Sequence, residues 1–191
     1  MGERINEILK KLIAERSLSL EEYKTLIESY SEENAKMLAE YAVAERKKYY
    51  SDKVFIRGLI EISNICKNDC LYCGIRKSNR NCQRYRLTKE EILSCCEYGY
   101  NSGFRTFVLQ GGEDAFFDDE FLCELISDIK KRYPDCAITL SLGERSRESY
   151  EALHRAGADR YLLRHETADF HHYSKLHPEN MKLEARLECL Q

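Results

Sequence analysis

Three cysteines stand close together in the run Cys66-Lys67-Asn68-Asp69-Cys70-Leu71-Tyr72-Cys73, a C-x3-C-x2-C spacing. On a short loop, three thiolates at this spacing can each take one iron of a cubane 4Fe-4S cluster, leaving the fourth iron without a protein ligand. The open iron is where chemistry would occur, because a small molecule with an amino and a carboxylate group can chelate it. Two other readings compete. A zinc site wants four ligands, and Cys82 is close enough in sequence to be the fourth. Three cysteines can also simply pack in a core, where free Cys is common. Lys67, Asn68 and Asp69 make poor core sequence, however, and the spacing suits the cluster best.

The totals narrow the context. At 191 residues the chain can bury one real core but is short for two ordinary domains. A net charge of -3 argues against a dedicated nucleic-acid binder, which usually carries a basic surplus. No apolar run approaches the ~18 residues of a membrane span. The start, MGERINEILKK, lacks the apolar stretch of a signal peptide, and Asn6 stands where a myristoylation signal needs Ser or Thr. Nine cysteines, an odd number without a signal, speak against a disulfide framework and for a reducing compartment. The expected location is the cytoplasm.

Elements that could position the thiols follow from periodicity. Three amphipathic helices come first, carrying Ile5, Ile8, Leu9, Leu12 and Ile13, then Leu20, Tyr23, Leu26, Ile27 and Tyr30 after a Ser19/Glu22 capping box, then Ala35 to about Tyr49. Residues 1–53 therefore read as a helical layer expected to pack on a later core. From Val54 strand and helix patterns alternate: VFIRGLIEI, a helix capped by Thr88 and Glu91, FRTFVL, a helix from about Asp119 to Arg132, AITLSLG, a helix from Ser146 to Gly157, and DRYLLRHE. A further helix is expected from Thr167 or Asp169. Such alternation indicates βαβ units on a parallel sheet. The polar residues cluster where strands end, at Asn64–Cys73, Gln110–Asp114, Glu144 and Arg164–Thr167. In a TIM-type (βα) barrel all strand C-termini open on one face, so four segments converge there; a doubly wound sheet would use fewer. The α/β fold expected is thus a partial barrel over 54–191. Four strands fall short of a closed barrel, so the chain is expected to be a fragment of a longer enzyme.

The blocks RGLIEISNICKNDCLYCGIR, LQGGED, TLSLGER and AGADRYLLRHETAD resemble the HydE family of radical S-adenosylmethionine (SAM) enzymes, maturases that help assemble the H-cluster of FeFe-hydrogenase. The similarity runs from about Val54 to Pro178. Biotin synthase and methylornithine synthase share the cysteine motif and barrel but not the LSLGER and YLLRHET blocks. The resemblance implies a 4Fe-4S cluster on Cys66, Cys70 and Cys73, and SAM cleaved reductively to a 5′-deoxyadenosyl radical. It implies action on an iron carbonyl–cyanide species toward the di-iron subcluster, alongside sister maturases. Tyr72 is placed to pack on the adenine, Gly111 and Gly112 to admit the methionyl end, and Glu113 to accept from its ammonium group. Ser141 and Glu144 would meet the ribose or amino group, and Arg164 the carboxylate, for which a guanidinium offers a planar charged fork. His165 and Glu166 would face the substrate, and Arg57 would line the cavity or form a buried pair. Lys67, Arg76, Lys77, Arg80, Arg84 and Arg86 make a basic surface for an acidic electron donor such as a ferredoxin or flavodoxin, or else a solvated loop. Another radical SAM activity, and a zinc-stabilised binding module, are the alternatives.

Overall fold

The structure, a computed structural model, describes residues 2–191, with side chains from Arg4. The chain divides into two compact units, one ending at Phe55 and the other spanning Ile56–Gln191. The first contains α1 (Gly2–Glu15), α2 (Leu20–Glu28) and α3 (Glu32–Tyr50). Ser19 and Glu22 form the capping box reciprocally, and the Ser31 side chain accepts from Asn34 N–H to cap α3. Ile5, Ile8 and Leu9 of α1 are buried, and Lys11 pairs with Glu22 at 2.8 Å across to α2. The α2 stripe differs from the expectation: Leu20, Tyr23, Ile27 and Tyr30 are exposed. Periodicity says which side chains share a face, not what covers it. No helix among the described residues is long and apolar enough to cross a membrane.

The second unit runs β1 (Gly58–Ser63), α4 (Lys89–Asn101), β2 (Thr106–Gly111), α5 (Asp119–Arg132), β3 (Ala137–Ser141), α6 (Arg147–Ala156), β4 (Arg160–Tyr161), α7 (Phe170–Leu176) and α8 (Leu183–Glu188). The sheet order is β1-β2-β3-β4, all neighbours parallel. This order never reverses, as the wall of a βα barrel requires and a doubly wound sheet with its switch point does not. Alternation decides the faces. Ile60, Ile62, Phe107, Leu109, Ile138 and Leu140 are buried in one core with Ile92 and Cys96 of α4, Leu122, Leu125, Ile126 and Ile129 of α5, and Leu153 of α6. Each such side chain contributes roughly 1.5–3 kcal/mol by leaving water. The alternate positions, Glu61, Gln110 and Ser141, line an open pocket instead.

The local signals hold at most helix ends. Thr88 and Glu91 make a complete capping box, Asp118, Ser146 and Asp169 cap α5, α6 and α7, and Gly157 ends α6 at φ 118°. Strand lengths were less legible. Val54, Phe55 and Ile56 lie outside β1 and are exposed. The block at 159–166 forms only a two-residue β4, bonded to β3 alone. Strand propensity needs a partner to become a ladder, and beyond Tyr161 the main chain makes only one further bond to β3, Leu162 N–H to Leu140 O.

Candidate active site

Where β1 ends at Ser63 the chain enters a loop that wraps around one guanidinium. Arg84 donates to the carbonyl oxygens of Asn64, Ile75, Arg76 and Asn79. Asp69 Oδ1 accepts from Ser78 N–H at 2.9 Å, and Lys77 N–H donates to Asn68 O at 2.8 Å. Cys66, Cys70 and Cys73 are all half-buried and line one pocket of about 250 Å³ at the strand C-termini. Burial, with the neighbouring Cys66 and Cys73, pushes the Cys70 thiol up, so metal uptake here would release protons. Among the described residues no three or more His, Cys, Asp or Glu side chains close on a single metal-ion position. A tetrahedral zinc needs four donors at one point, whereas a cubane takes each thiolate on a different iron. Cys82 stays outside the pocket, where its sulfur accepts from Asn64 Nδ2 at 3.5 Å. Three half-buried thiols on one pocket wall, with Cys82 apart, are a donor set that fits a three-ligand cluster.

The turn after β2 presses against this loop. A Cβ on Gly112 would lie 2.2 Å from Ile65 O and 2.7 Å from Cys66 Cβ, so only glycine permits the approach. Glu113 N–H points at Cys66 Sγ across 3.4 Å, and Lys67 N–H donates to Glu113 O at 3.0 Å. The Glu113 side chain is 9% exposed, with Lys67 Nζ 3.1 Å from Oε2 and Arg186 3.8 Å from Oε1. The lysine lies off a hydrogen-bonding direction, and the buried Oε2 accepts no hydrogen bond. A nearly buried carboxylate at the pocket wall that already faces one ammonium, Lys67 Nζ, suits a ligand's ammonium group.

The expected residues do not all meet this pocket. Tyr72, Gly111, Gly112, Glu113, Ser141, Arg164 and Glu166 line it. Arg164 is exposed to the pocket without an ion pair among the described residues, and Glu166 is held at φ 64°. Glu144 does not line it; its carboxylate turns to Arg186 Nε at 2.8 Å. His165 lies outside, and Arg57 is exposed upstream of β1 rather than buried or lining. The basic surface shrinks, because Lys67 pairs with Glu113, Arg84 is occupied by carbonyls and Arg86 by Asp114. Lys77 and Arg80 remain exposed, whereas Arg76 donates to Cys73 O.

Three contributors were missed from the sequence. Arg186 on α8 is buried between Glu113 and Glu144; burial opposes its charge, but Glu144, Tyr173 and Glu113 outweigh that and raise its pKa. Nothing in MKLEARLECLQ marks it. Gly143 has φ 80°, and a Cβ there would come within 1.9 Å of Glu113 Cγ. A glycine two residues past the end of β3 was the available signal. His177 is buried, and its Nδ1 donates to Tyr173 O at 3.0 Å, which leaves Nε2 to accept from the Tyr72 hydroxyl at 3.4 Å. The segment carrying these two side chains also meets the thiol loop at Leu71 N–H to Leu176 O, 2.9 Å, and at Cys70 Sγ to Met181 Sδ, 3.7 Å.

Comparison with known proteins bears on the family and the fold. The HydE subunit of the [FeFe] hydrogenase maturase from Thermotoga maritima is 48% identical over 145 residues, covering 76% of this chain and 41% of that protein. The crystal structure of methylornithine synthase superposes with a TM-score of 0.81 at 29% identity, over 96% of this chain and 54% of that one. The crystal structure of HydG, a maturase of the [FeFe]-hydrogenase, gives a TM-score of 0.87 at 23% identity, over 100% and 43%, a likeness of fold. The chain spans about half the length of the relatives it matches. The model of the Radical SAM superfamily matches residues 60–191. Because that match takes in the thiol loop, most of β1 and every later strand, the chain belongs to the radical SAM superfamily.

Proposed function

We propose that this chain carries the cluster and SAM site of a maturase acting in assembly of the di-iron subcluster of FeFe-hydrogenase. The observation that carries the chemistry is the nearly buried Glu113 carboxylate beside Cys66, Cys70 and Cys73 in one strand-end pocket. The maturation role rests on the 48% identity to the HydE subunit. A bound 4Fe-4S cluster with SAM supplies one-electron reductive cleavage of SAM to methionine and a 5′-deoxyadenosyl radical. Cys66, Cys70 and Cys73 would hold the cluster. Glu113 would orient the SAM ammonium group, with Gly111 and Gly112 clearing its path. Arg186 and Arg164 would face the carboxylate, and Glu144 would hold Arg186 in place. Tyr72, steadied by His177, offers its ring to the adenine, and Ser141 a hydroxyl to the ribose. The small substrate would be an iron carbonyl–cyanide species entering over Glu166, and Lys77 with Arg80 would meet an acidic electron donor such as a ferredoxin or flavodoxin.

The test is anaerobic reconstitution with iron and sulfide, then incubation with SAM and dithionite. Formation of 5′-deoxyadenosine from a brown protein is expected. Adding the full-length protein that carries this chain to a hydrogenase maturation mixture that lacks its HydE component should restore active hydrogenase. A colourless zinc-loaded protein sinks the radical SAM assignment of the pocket, and 5′-deoxyadenosine without maturation sinks the maturase role.

A further inference from the structure

Asp114 follows Glu113 but takes no part in the pocket wall. Its side chain is 2% exposed, and it joins three segments. Arg86 Nε and Nη2 donate to its two oxygens at 2.6 and 2.9 Å, and Ser63 Oγ donates at 2.8 Å. Ser63 is the last residue of β1 before the thiol loop, and Arg86 is where the loop returns, bridged antiparallel to Ser63. The Ser63 hydroxyl also accepts from Ile65 N–H at 3.0 Å, one residue before Cys66. One buried carboxylate thus closes both ends of the thiol loop on the turn that carries Glu113. Two further contacts press that turn to the loop: Gly112 N–H to Ser63 O at 3.2 Å, and Glu113 N–H to Cys66 Sγ at 3.4 Å.

We infer that the Ser63–Arg86–Asp114 lock is a positioning device that holds the Glu113 amide on the Cys66 sulfur, setting the cluster's reduction potential and SAM affinity together. The inference rests on the cluster reading of the three thiols. Hydrogen bonds to ligand sulfurs stabilise the more negative, reduced cluster and so raise its potential. The same peptide unit carries the Glu113 side chain, so a turn that lifts from Cys66 also carries the carboxylate away from the SAM ammonium. Asp114 touches neither sulfur nor SAM site directly; it acts through the turn.

The experiment compares reconstituted full-length wild type, Asp114→Asn and the double variant Arg86→Gln/Asp114→Asn. The double variant removes the pair without stranding a buried charge, so it decides the matter if the single variant fails to load a cluster. Iron content, the midpoint potential from EPR-monitored redox titration, and SAM affinity are measured on each. Loading like wild type, a more negative midpoint and a SAM Kd weakened about tenfold are expected. A lower melting temperature with unchanged potential and Kd in the double variant overturns the inference, because a merely structural tie would do only that. Failure of the double variant to load a cluster that wild type accepts overturns it as well. A wild-type chain that takes up no iron–sulfur cluster overturns the proposed function instead, so the two failures are distinguishable.

Discussion

Replacing Gly143 by Ala should weaken SAM binding by displacing Glu113. Two costs arise. At φ 80° an alanine pays for the left-handed backbone, about 1–2 kcal/mol. Its Cβ would also lie 1.9 Å from Glu113 Cγ and 2.4 Å from Oε1. Ordinary contact between carbons lies near 3.5–4.0 Å, so Glu113 must retreat by roughly 1.5–2 Å. A movement of that size takes its carboxylate out of hydrogen-bond range of an ammonium group. A charge-assisted bond of this kind is worth about 1.5–3 kcal/mol, so SAM Kd should rise about tenfold or more. Gly103 separates the two costs, because its φ is 93° yet a Cβ there meets nothing within 4 Å. Gly103→Ala should lose only the backbone part and bind SAM normally. Iron content, thermal melting and SAM titration of both reconstituted variants make the test. Wild-type SAM affinity in Gly143→Ala with a full cluster would refute the reasoning, and so would an equal loss in Gly103→Ala.

Cys66→Ser, Cys70→Ser and Cys73→Ser should each lose the cluster by iron analysis and EPR, while Cys82→Ser should retain it; metal loss in the last would favour a four-ligand zinc site. Arg186→Met removes the buried cation between Glu113 and the part-buried Glu144 and should destabilise the chain by about 1–3 kcal/mol in denaturant melts, whereas Arg164→Ala should change stability by no more than about 0.5 kcal/mol while weakening SAM binding. Asp114 gives a pH signature. Burial disfavours its charge, but Arg86, Ser63 and the Phe116 amide outweigh that and hold its carboxyl below the usual range. A depressed folded-state pKa contributes stability that is complete above the unfolded value, about 3.9, and is lost as pH falls through the lower folded one. The wild-type melting temperature should therefore drop more steeply below about pH 4 than that of Arg86→Gln/Asp114→Asn, and parallel curves would count against the pair.

What the sequence settled alone was local. The C-x3-C-x2-C run, the capping boxes at Ser19 and Thr88, and the Gly-Gly after a strand are each written in consecutive residues, because loop ligands, helix caps and tight approaches act over a few positions. The alternation of strand and helix fixed the parallel sheet in the same way, since period and turn signals are short-range. Tertiary structure decided the rest. Arg186 reaches Glu113 from a helix more than seventy residues away, and no spacing rule connects them. Glu144 was placed by that arginine, not by its strand end. The six basic residues of the loop region looked like one charged surface, yet Arg84 is taken up by carbonyl oxygens and Arg86, though exposed, is paired with a buried carboxylate that composition cannot reveal. Val54–Ile56 and Leu162–Glu166 have strand-like composition but few partners, so they remain outside the ladder. A side chain's type limits the bonds it can make, but which bond it makes depends on what the fold brings within about 3 Å of it.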